Sequence, residues 1–510
     1  MLSQSRTFRG IDWTTIIMCL MLILFGIMNV YSVEEARGIK QLIFFGLSPI
    51  IVILLISISS STSNFFEVYS PLLYGGALLL LVGVLIFGKE INGAKAWFDF
   101  GFVSFQPAEL GKLATGLLLA NYISSPSIEI KSQKTVITAF AILGIPVILI
   151  LLQPDLGSVL VFSAFIVALY REGFSPWYIF IPVIGGILFL FSITYPSYYI
   201  LTAAGFLTAI IGTLVVSFTY NRSTLRTIAG LHIGLVFFFL VLIFLMAFFP
   251  ELGIVEDETA AQFVPLENLK FNVYLYSLIG LILSLFSTLS VAYFFMNDSS
   301  ESAFKLSASE IGSNNTYGTA IITSVILSLT IFISLFSASI YQELPKHQQE
   351  RIMVLFEGEG KYRDTSGYNL LYSKTAIGSG DFFGKGYMQG TVKMGRFVPE
   401  QPTDYIFCTV GEEWGFLGSS ILVIFYALFI ARIYYLAENQ RSEFSRFFGY
   451  SVATIFLIHF FINIAMVMGL FPTVGIPLPF FSYGGSSLWS FITLITIFLI
   501  LNYKDKQSLI

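Results

Sequence analysis

The chain has 510 residues, of which 56% are hydrophobic and 11% are charged, whereas soluble domains carry about 25% charged residues. This composition excludes a soluble globular protein. The 27 Lys and Arg against 31 Asp and Glu give a net charge of −4, which offers no basic surface and excludes nucleic acid as a partner. The two cysteines, Cys19 and Cys408, form no CxxC or Cys/His pattern, which excludes a disulfide framework and a zinc site.

Uncharged apolar runs of about 15 to 25 residues recur along the chain, a length that crosses a bilayer core of about 30 Å. They predict an all-α polytopic membrane protein of about fourteen spans, with the first span retained rather than cleaved as a signal peptide. The break between the fifth and sixth spans is interpreted as a tight turn with Asp155 as a helix cap, and one long broken helix is the alternative. The predicted spans are 14–32, 41–58, 72–88, 108–123, 136–152, 156–170, 177–195, 200–219, 228–249, 272–296, 319–340, 408–431, 448–470 and 488–502.

The distribution of Lys and Arg among short loops predicts the orientation, because such residues stay on the cytoplasmic side. With the N-terminus inside, the inside segments hold 13 of the 27 Lys and Arg, and the short outside segments hold 6. The other 8 lie in the long polar segment 341–407. We therefore expect both termini inside. The segments expected on the outer face are 89–107, 250–271, 341–407 and 471–487.

Ionisable and aromatic residues surround the start of the fourth span, in NGAKAWFDFGFVSFQPAELGKL. Lys95, Trp97 and Asp99 precede the span, where an interfacial anchor for Trp97 and a helix-terminal role for Asp99 are the structural alternatives. Glu109 and Lys112 are three residues apart and share one helix face. Ionisable groups at a membrane edge are expensive unless they pair or line a cavity, so a functional role is favoured for these two.

The densest polar cluster is the segment 373–415, SKTAIGSGDFFGKGYMQGTVKMGRFVPEQPTDYIFCTVGEEWG. Its glycines permit tight backbone turns, and Lys385, Lys393 and Arg396 are candidate anion contacts. The loop lacks the GK[ST] ending of a P-loop and does not follow a strand. Nucleotide binding is therefore not indicated.

Acidic residues follow this loop at the start of a span. Glu400, Thr403 and Asp404 come directly before an apolar run that carries Glu412 and Glu413. A carboxylate at this boundary, beside cations, can act as a general base or hold a divalent ion. Capping of the following helix by Asp404 is the alternative, but capping would not require the acids inside the span.

The stretch FPTVGIPLPFFSYGGSS, 471–487, precedes the last span. It combines three prolines with Ser482, Gly484, Gly485, Ser486 and Ser487. Non-helical backbone at membrane depth is tolerated where it is buried in protein or lines a wet cavity. We interpret the stretch as a re-entrant or pocket-lining loop, with a plain turn as the alternative.

Taken together, these motifs resemble the SEDS family (shape, elongation, division and sporulation), and its RodA branch more than FtsW. The matching stretches are GAKAWFDFGFVSFQPAELGK, QPDLGS, the GSG and GKG elements of AIGSGDFFGKGYMQGT, VPEQPTDYIFCTVGEEWGFLG and GIPLPFFSYGGSS. They occur in family order and, with their spans, cover about 11–195 and 341–502. The GKG-then-GT pattern at 384–391 favours RodA.

The resemblance implies a bundle of ten spans, to which this chain adds about four helices. The expected divisions are 1–199 for the N-terminal part of the core, 200–340 for the inserted helices, 341–407 for an extracytoplasmic catalytic loop and 408–510 for the C-terminal part. The last inserted helix is an alternative member of the core.

The resemblance also implies a peptidoglycan glycosyltransferase of the bacterial inner membrane, which polymerises lipid II into β-1,4-linked glycan at the outer face for elongation and rod shape. It assigns the catalytic acid to Asp404. Because an α-linked diphosphate is replaced by a β-linkage, a single inverting displacement needs one base. The expected substrate contacts are Lys95, Trp97, Glu109, Lys112, Lys385, Arg396, Glu400, Thr403, Ser482 and Ser486.

Further expectations concern cofactors and partners. A divalent ion, Mg²⁺ or Mn²⁺, is expected to offset diphosphate charge with Asp404 as a ligand, and no organic cofactor is expected. The resemblance implies lipid II, the nascent glycan, membrane lipid and a class B penicillin-binding protein, a transpeptidase, as partners. The alternatives are a lipid II flippase or other transporter, a non-enzymatic scaffold, and a division-type role like that of FtsW.

Overall fold

The computed structural model describes residues 10–507 except 62–63, 92, 102, 131, 195–336, 338–339, 392–397 and 399. The chain up to Ile179 and from Glu350 onwards forms one compact unit, and Phe180–Gln349 form a second. The described helices are α1 (Trp13–Val33), α2 (Glu35–Ser61), α3 (Phe65–Val68), α4 (Ser70–Phe87), α5 (Pro107–Ile123), α6 (Gln133–Leu151), α7 (Leu156–Arg171), α8 (Trp177–Thr194), α9 (Lys346–Glu357), α10 (Tyr368–Ser379), α11 (Ile406–Glu438), α12 (Glu443–Val467) and α13 (Gly485–Gln507).

Ten of these helices coincide with ten of the predicted spans, which confirms the helical membrane fold for the described part of the chain. Eight of them are long and apolar enough to cross a membrane, and α7 is apolar but shorter. The predicted break after the fifth span is a real helix boundary, because α6 and α7 are separate helices. The remaining predicted spans, 200–219, 228–249, 272–296 and nearly all of 319–340, lie outside the described residues, and so does most of the proposed insertion.

A small antiparallel sheet lies between α4 and α5, where the sequence predicted only an outer loop. Its strands are β1 (Lys89–Ile91), β2 (Ala94–Asp99) and β3 (Ser104–Phe105), in the order β1-β2-β3. Lys89 pairs with Trp97, and Phe98 pairs with Phe105. The short hairpins bring the chain back to the start of α5.

Helix α12 forms the centre of the bundle, packed against α5, α7, α11 and α13. It is buried on nearly every face, as expected of a helix that is apolar all round. Phe456 lies at the centre, with its ring centroid 5.2 Å from that of Phe480 and 5.4 Å from those of Phe429 and Phe491. Aromatic packing therefore fixes the loop before α13 against the middle of α12.

The outer helices instead expose apolar side chains. Leu79 on α4 is 74% exposed and Ile53 on α2 is 65% exposed. Large exposed apolar surfaces on long apolar helices are the surfaces that lipid covers. The described outer helices are consequently apolar on their exposed faces, while polar side chains such as Glu109, Lys112 and His459 are buried in the interior.

Candidate active site

Asp404 lies in the turn before α11 and is half-buried. Its backbone N–H donates to the carbonyl of Glu400 (3.1 Å), and its own carbonyl accepts from Asn463 Nδ2 (2.8 Å). The helix-cap interpretation does not hold, because the cap position is Tyr405 and no side chain caps the first turn. Among the described residues, the Asp404 carboxylate has no hydrogen-bond partner. It is held by its backbone and is free to take a proton from a ligand.

The electrostatic surroundings of Asp404 suit a general base. Burial, with the nearby negative charges of Glu400 and Asp155, raises the pKa of Asp404 to about 7, while Arg351 opposes that shift. A base with a pKa near the operating pH combines a useful ionised fraction with a strong affinity for the proton. The carboxyl group is thus poised to accept a proton at neutral pH.

The loop 471–484 lies directly against this carboxylate. Gly475 has φ +70°, and a Cβ placed on it would lie 3.3 Å from Asp404 Oδ2. A Cβ on Gly157 would lie 2.5 Å from the carbonyl oxygen of Val474. The start of α7 and this loop therefore approach each other at backbone distance, on the same side as Asp404.

Asp155 caps α7, as the sequence predicted. It accepts from the backbone N–H of Ser158 (3.0 Å) and from Nε2 of Gln106 (2.7 Å). Both acceptor oxygens are thus used structurally. Asp155 acts on Asp404 through its charge.

Lys385, a predicted anion contact, holds the glycine-rich loop in place. Its Nζ lies 2.7 Å from Ser379 Oγ, 2.8 Å from Thr391 Oγ1 and 2.7 Å from Glu412 Oε1. The same Glu412 oxygen accepts from the Thr391 backbone N–H (2.7 Å). This geometry gives Lys385 a full set of intramolecular partners, and a substrate role for it stays a prediction.

The glycine-rich loop also forms hydrogen bonds to α11 on both sides of a break in that helix. Gly415 has φ +65° and interrupts the helix. On one side of the break, the backbone N–H groups of Lys385 and Gly386 donate to the carbonyls of Glu412 (3.0 Å) and Glu413 (2.9 Å). On the other side, Phe416 and Leu417 donate to carbonyls of residues 381 and 382. The loop thereby supplies the hydrogen bonds that a continuous helix would have made.

Replacing Gly384 with alanine is expected to destabilise the protein by about 1–3 kcal/mol. Gly384 has φ +81°, and a Cβ there would lie 2.2 Å from the carbonyl oxygen of Glu413. Thermal unfolding of the detergent-purified protein measures the effect. Gly378→Ala is the matched control, since a Cβ at Gly378 meets nothing within 4 Å. Equal unfolding temperatures for the two variants would contradict the docking of the loop at the kink.

Glu109 and Lys112 form a buried ion pair on α5, with Lys112 Nζ 2.8 Å from Glu109 Oε1 and side-chain exposures of 5% and 1%. Lys112 Nζ also lies 3.0 Å from His459 Nε2 and 5.5 Å from the centroid of the Phe491 ring. The prediction that the two side chains share one helix face is confirmed, and of the two alternatives, pairing and cavity lining, the structure shows pairing. The structure surrounds the pair with protein, so direct contact of either side chain with a substrate stays a prediction.

His459 and Asn463, on α12, were missed by sequence analysis. Asn463 Nδ2 donates to the carbonyls of Ile476 (2.7 Å) and Asp404 (2.8 Å), and His459 Nδ1 lies 3.1 Å from the Pro477 carbonyl. The available signal was a pair of polar residues four apart inside an apolar span, which places both on one helix face.

Other residues that were predicted to contact the substrate form hydrogen bonds within the protein. Ser482 Oγ accepts from Leu478 N–H (2.8 Å), and Ser486 Oγ accepts from Gln106 N–H (3.3 Å). Thr403 Oγ1 donates to Glu400 Oε2 (3.0 Å) beside Asp404. These bonds fix the backbone around the loop 471–487, and ligand contacts by these side chains stay predictions.

The sheet carries the earliest predicted site residues. Lys95 Nζ donates to the Ile86 carbonyl (3.0 Å), and Trp97 is half-buried on β2. Asp99 accepts a hydrogen bond from Lys89 Nζ (2.6 Å), and this bond, the N–H of Gly101 and the lysine charge lower the pKa of Asp99. No described contact joins these residues to Asp404. Arg396, a further predicted contact, lies outside the described residues.

The described residues include no group of three His, Cys, Asp or Glu side chains placed to hold a metal ion. Asp404 alone would be a weak site, because divalent cations take several oxygen ligands. The described protein side chains therefore do not fit a resident metal.

Comparison with known proteins places the chain in a family. The sequence profile of the FtsW, RodA and SpoVE cell cycle proteins matches residues 11–206 and 311–507. The chain belongs to this family. The match includes all the described helices, α1 to α13, and therefore every part of the Asp404 site. Residues 207–310 are unmatched and lie within the predicted insertion.

Individual relatives agree with this assignment. The peptidoglycan glycosyltransferase RodA of Treponema pallidum is 27% identical over 508 residues, covering 97% of this chain and 98% of the relative. The peptidoglycan glycosyltransferase MrdB of Escherichia coli is 25% identical over 438 residues, covering 86% and 78%. Family membership and the long apolar helices identify a multi-pass membrane protein.

A solved structure shares the fold. A chain from a peptidoglycan synthase complex that coordinates polymerization and crosslinking matches with a TM-score of 0.57 at 20% identity, covering 98% of this chain and all of that one. The two chains therefore share a helical membrane fold.

Proposed function

We infer that this FtsW/RodA/SpoVE family member is a peptidoglycan glycosyltransferase. The observation that carries the inference is the Asp404 carboxyl group, which is half-buried, has no hydrogen-bond partner among the described residues and has a pKa of about 7. Full-length relatives are glycosyltransferases of this kind. A glycosyl transfer with inversion needs one base at the acceptor hydroxyl, and the site offers one.

The substrate of the reaction is lipid II, a disaccharide-pentapeptide on a polyprenyl diphosphate. Asp404 accepts the proton of the acceptor 4-hydroxyl while that oxygen forms a bond to the anomeric carbon of the donor. The bond from this carbon to the diphosphate breaks, and its electron pair leaves with the polyprenyl diphosphate. One α-linkage is consumed, one β-1,4-linkage forms, and the proton ends on the carboxylate.

The negative charge that develops on the departing diphosphate needs compensation. The cations predicted from the sequence, Lys95, Lys112, Lys385 and Arg396, are the candidates within this chain. Because the described residues do not fit a resident metal, no step here depends on one. A role for Mg²⁺ or Mn²⁺ carried in with the diphosphate, with Asp404 as a ligand, stays a prediction.

The setting we propose is the outer face of the bacterial inner membrane. The bias of Lys and Arg toward the opposite loops supports this orientation. The names of the full-length relatives support a RodA-type role in elongation and rod shape, with an FtsW-type role in division as the alternative. The shared fold with a chain of a peptidoglycan synthase complex supports a crosslinking partner, for which a class B penicillin-binding protein is the candidate.

Polymerisation of lipid II by the purified protein tests this function. The chain, alone and with a candidate transpeptidase, is expected to convert lipid II in detergent into glycan that a muramidase digests. A flippase would instead move lipid II across a vesicle bilayer without changing it, and a scaffold would do neither. Transbilayer movement without polymer would overturn the proposal in favour of transport.

The rate of polymerisation is expected to depend on the protonation of Asp404. Below pH 7 the base is protonated, so the rate should fall roughly tenfold per pH unit, with a plateau above pH 7. Glu400→Gln removes a charge that raises this pKa and should move the acid limb to lower pH. Arg351→Gln should move it to higher pH. If the acid limbs of the two variants moved in the same direction, the assignment of Asp404 as the titrating base would be contradicted.

A further inference from the structure

A polar face on α12 contacts two other parts of the site. His459 and Asn463 lie one turn apart and are buried, with 2% and 0% exposure. Their side chains contact the consecutive carbonyls of Pro477 and Ile476, and Asn463 also binds the carbonyl of Asp404. The loop before α13 and the turn that carries Asp404 are thus tied to the same helix.

The hydrogen bonds of His459 define its tautomer. The Pro477 carbonyl can only accept, so the proton lies on Nδ1. Nε2 then has a lone pair and accepts from Lys112 Nζ at 3.0 Å. The neutral ring therefore joins the buried Glu109–Lys112 ion pair to the loop at Pro477.

The position of the loop matters because its backbone borders Asp404. Gly475, two residues before Pro477, lies against the carboxylate at φ +70°. A shift of the loop away from Asp404 would admit water to the base and move the surface that a sugar would contact. Misplacement by about 1 Å can cost about 100-fold in rate.

We propose that His459 is a positioning residue of the active site, which fixes the Pro477 carbonyl and so holds the loop backbone against Asp404. The Glu109–Lys112 pair in turn fixes the imidazole ring. This proposal rests on the glycosyltransferase function inferred above. It predicts that the bond to Pro477 matters more for turnover than the bond to Lys112.

Two substitutions of His459 each remove one of its two hydrogen bonds and keep the other. The amide of His459→Asn occupies the region of Nδ1 and keeps a donor for Pro477, but it does not reach Lys112. The amide of His459→Gln occupies the region of Nε2 and keeps an acceptor for Lys112, but it loses the donor at Nδ1. Phe461→Leu, on the same helix with Phe461 61% exposed, is the control.

Steady-state polymerisation by the full chain gives the first test. His459→Gln should lower kcat by about 100-fold with little change in KM, while His459→Asn should stay within about tenfold of the native kcat. Rates are compared per folded protein, using the unfolding temperature of each variant. If His459 is merely structural, Gln would be tolerated at least as well as Asn, because it spares the ion pair. That order would overturn the proposal.

Hydrogen exchange gives a second test that does not depend on activity. Amides in 471–484 should lose protection in His459→Gln and keep it in His459→Asn. Equal protection in the two variants would overturn the positioning role even if neither made polymer. A native protein that makes no polymer would instead overturn the proposed function. The exchange data would still show whether His459 fixes the loop 471–484.

Discussion

Asp404→Asn is expected to reduce glycan polymerisation by about 1000-fold, because an amide cannot take the proton of the acceptor hydroxyl. Asparagine has nearly the same shape, and the backbone bonds of Asp404 to Glu400 and Asn463 do not involve the side chain. The protein should therefore fold as before and still bind lipid II. The loss should appear in kcat, with KM changed little.

The control for this substitution is Asp364→Asn, in which the same chemical change falls on a side chain that is 93% exposed. Its activity should equal that of the native protein. Asp404→Glu is a further probe, since it keeps the base but moves it by one methylene, and it should retain more activity than Asp404→Asn. Full polymerisation by Asp404→Asn would place the catalytic base elsewhere.

Lys112→Met is expected to destabilise the fold by about 3–5 kcal/mol, because it leaves the Glu109 carboxylate buried without its cation. Glu109 is only 4% exposed, and its second carboxylate oxygen has no partner among the described residues. Equilibrium denaturation in mixed micelles measures this loss. The double variant Glu109→Gln, Lys112→Met should recover much of it, since no isolated charge remains in the interior.

Lys374→Met is the matched control for the buried pair. Lys374 lies 2.7 Å from Glu359, but the lysine is 44% exposed. Exposed ion pairs contribute about 0–1 kcal/mol, so the control should unfold nearly like the native protein. If Lys112→Met lowered the free energy of unfolding no more than this control does, the Glu109–Lys112 pair would not contribute to the stability of the fold.

The helical fold was predictable because it depends on local properties. Apolar runs of membrane-spanning length predicted the ten described core helices, and the break at Asp155 predicted a helix start. The sheet was missed because its strands are only two to six residues long. So short a strand gives little alternation to detect.

The candidate site was predictable only in part, because its side-chain partners lie far apart in sequence. Asp404 was identified from its position before a span that carries further acids. Lys112 and His459 are 347 residues apart, and no local pattern joins them. Lys385 was interpreted as an anion contact, and its bond to Glu412 was missed. That bond depends on the fold of the intervening loop, which no local sequence pattern reveals.

The most direct test of the central claim is polymerisation of purified lipid II by the native chain and by Asp404→Asn, at pH 8 with equal amounts of folded protein. At this pH the native carboxyl is mainly ionised, since its pKa is about 7. We predict long muramidase-sensitive glycan from the native chain and almost none from the variant. Equal polymer from both, or none from the native chain with any partner, would contradict the assignment of Asp404 as the base of a glycosyltransferase.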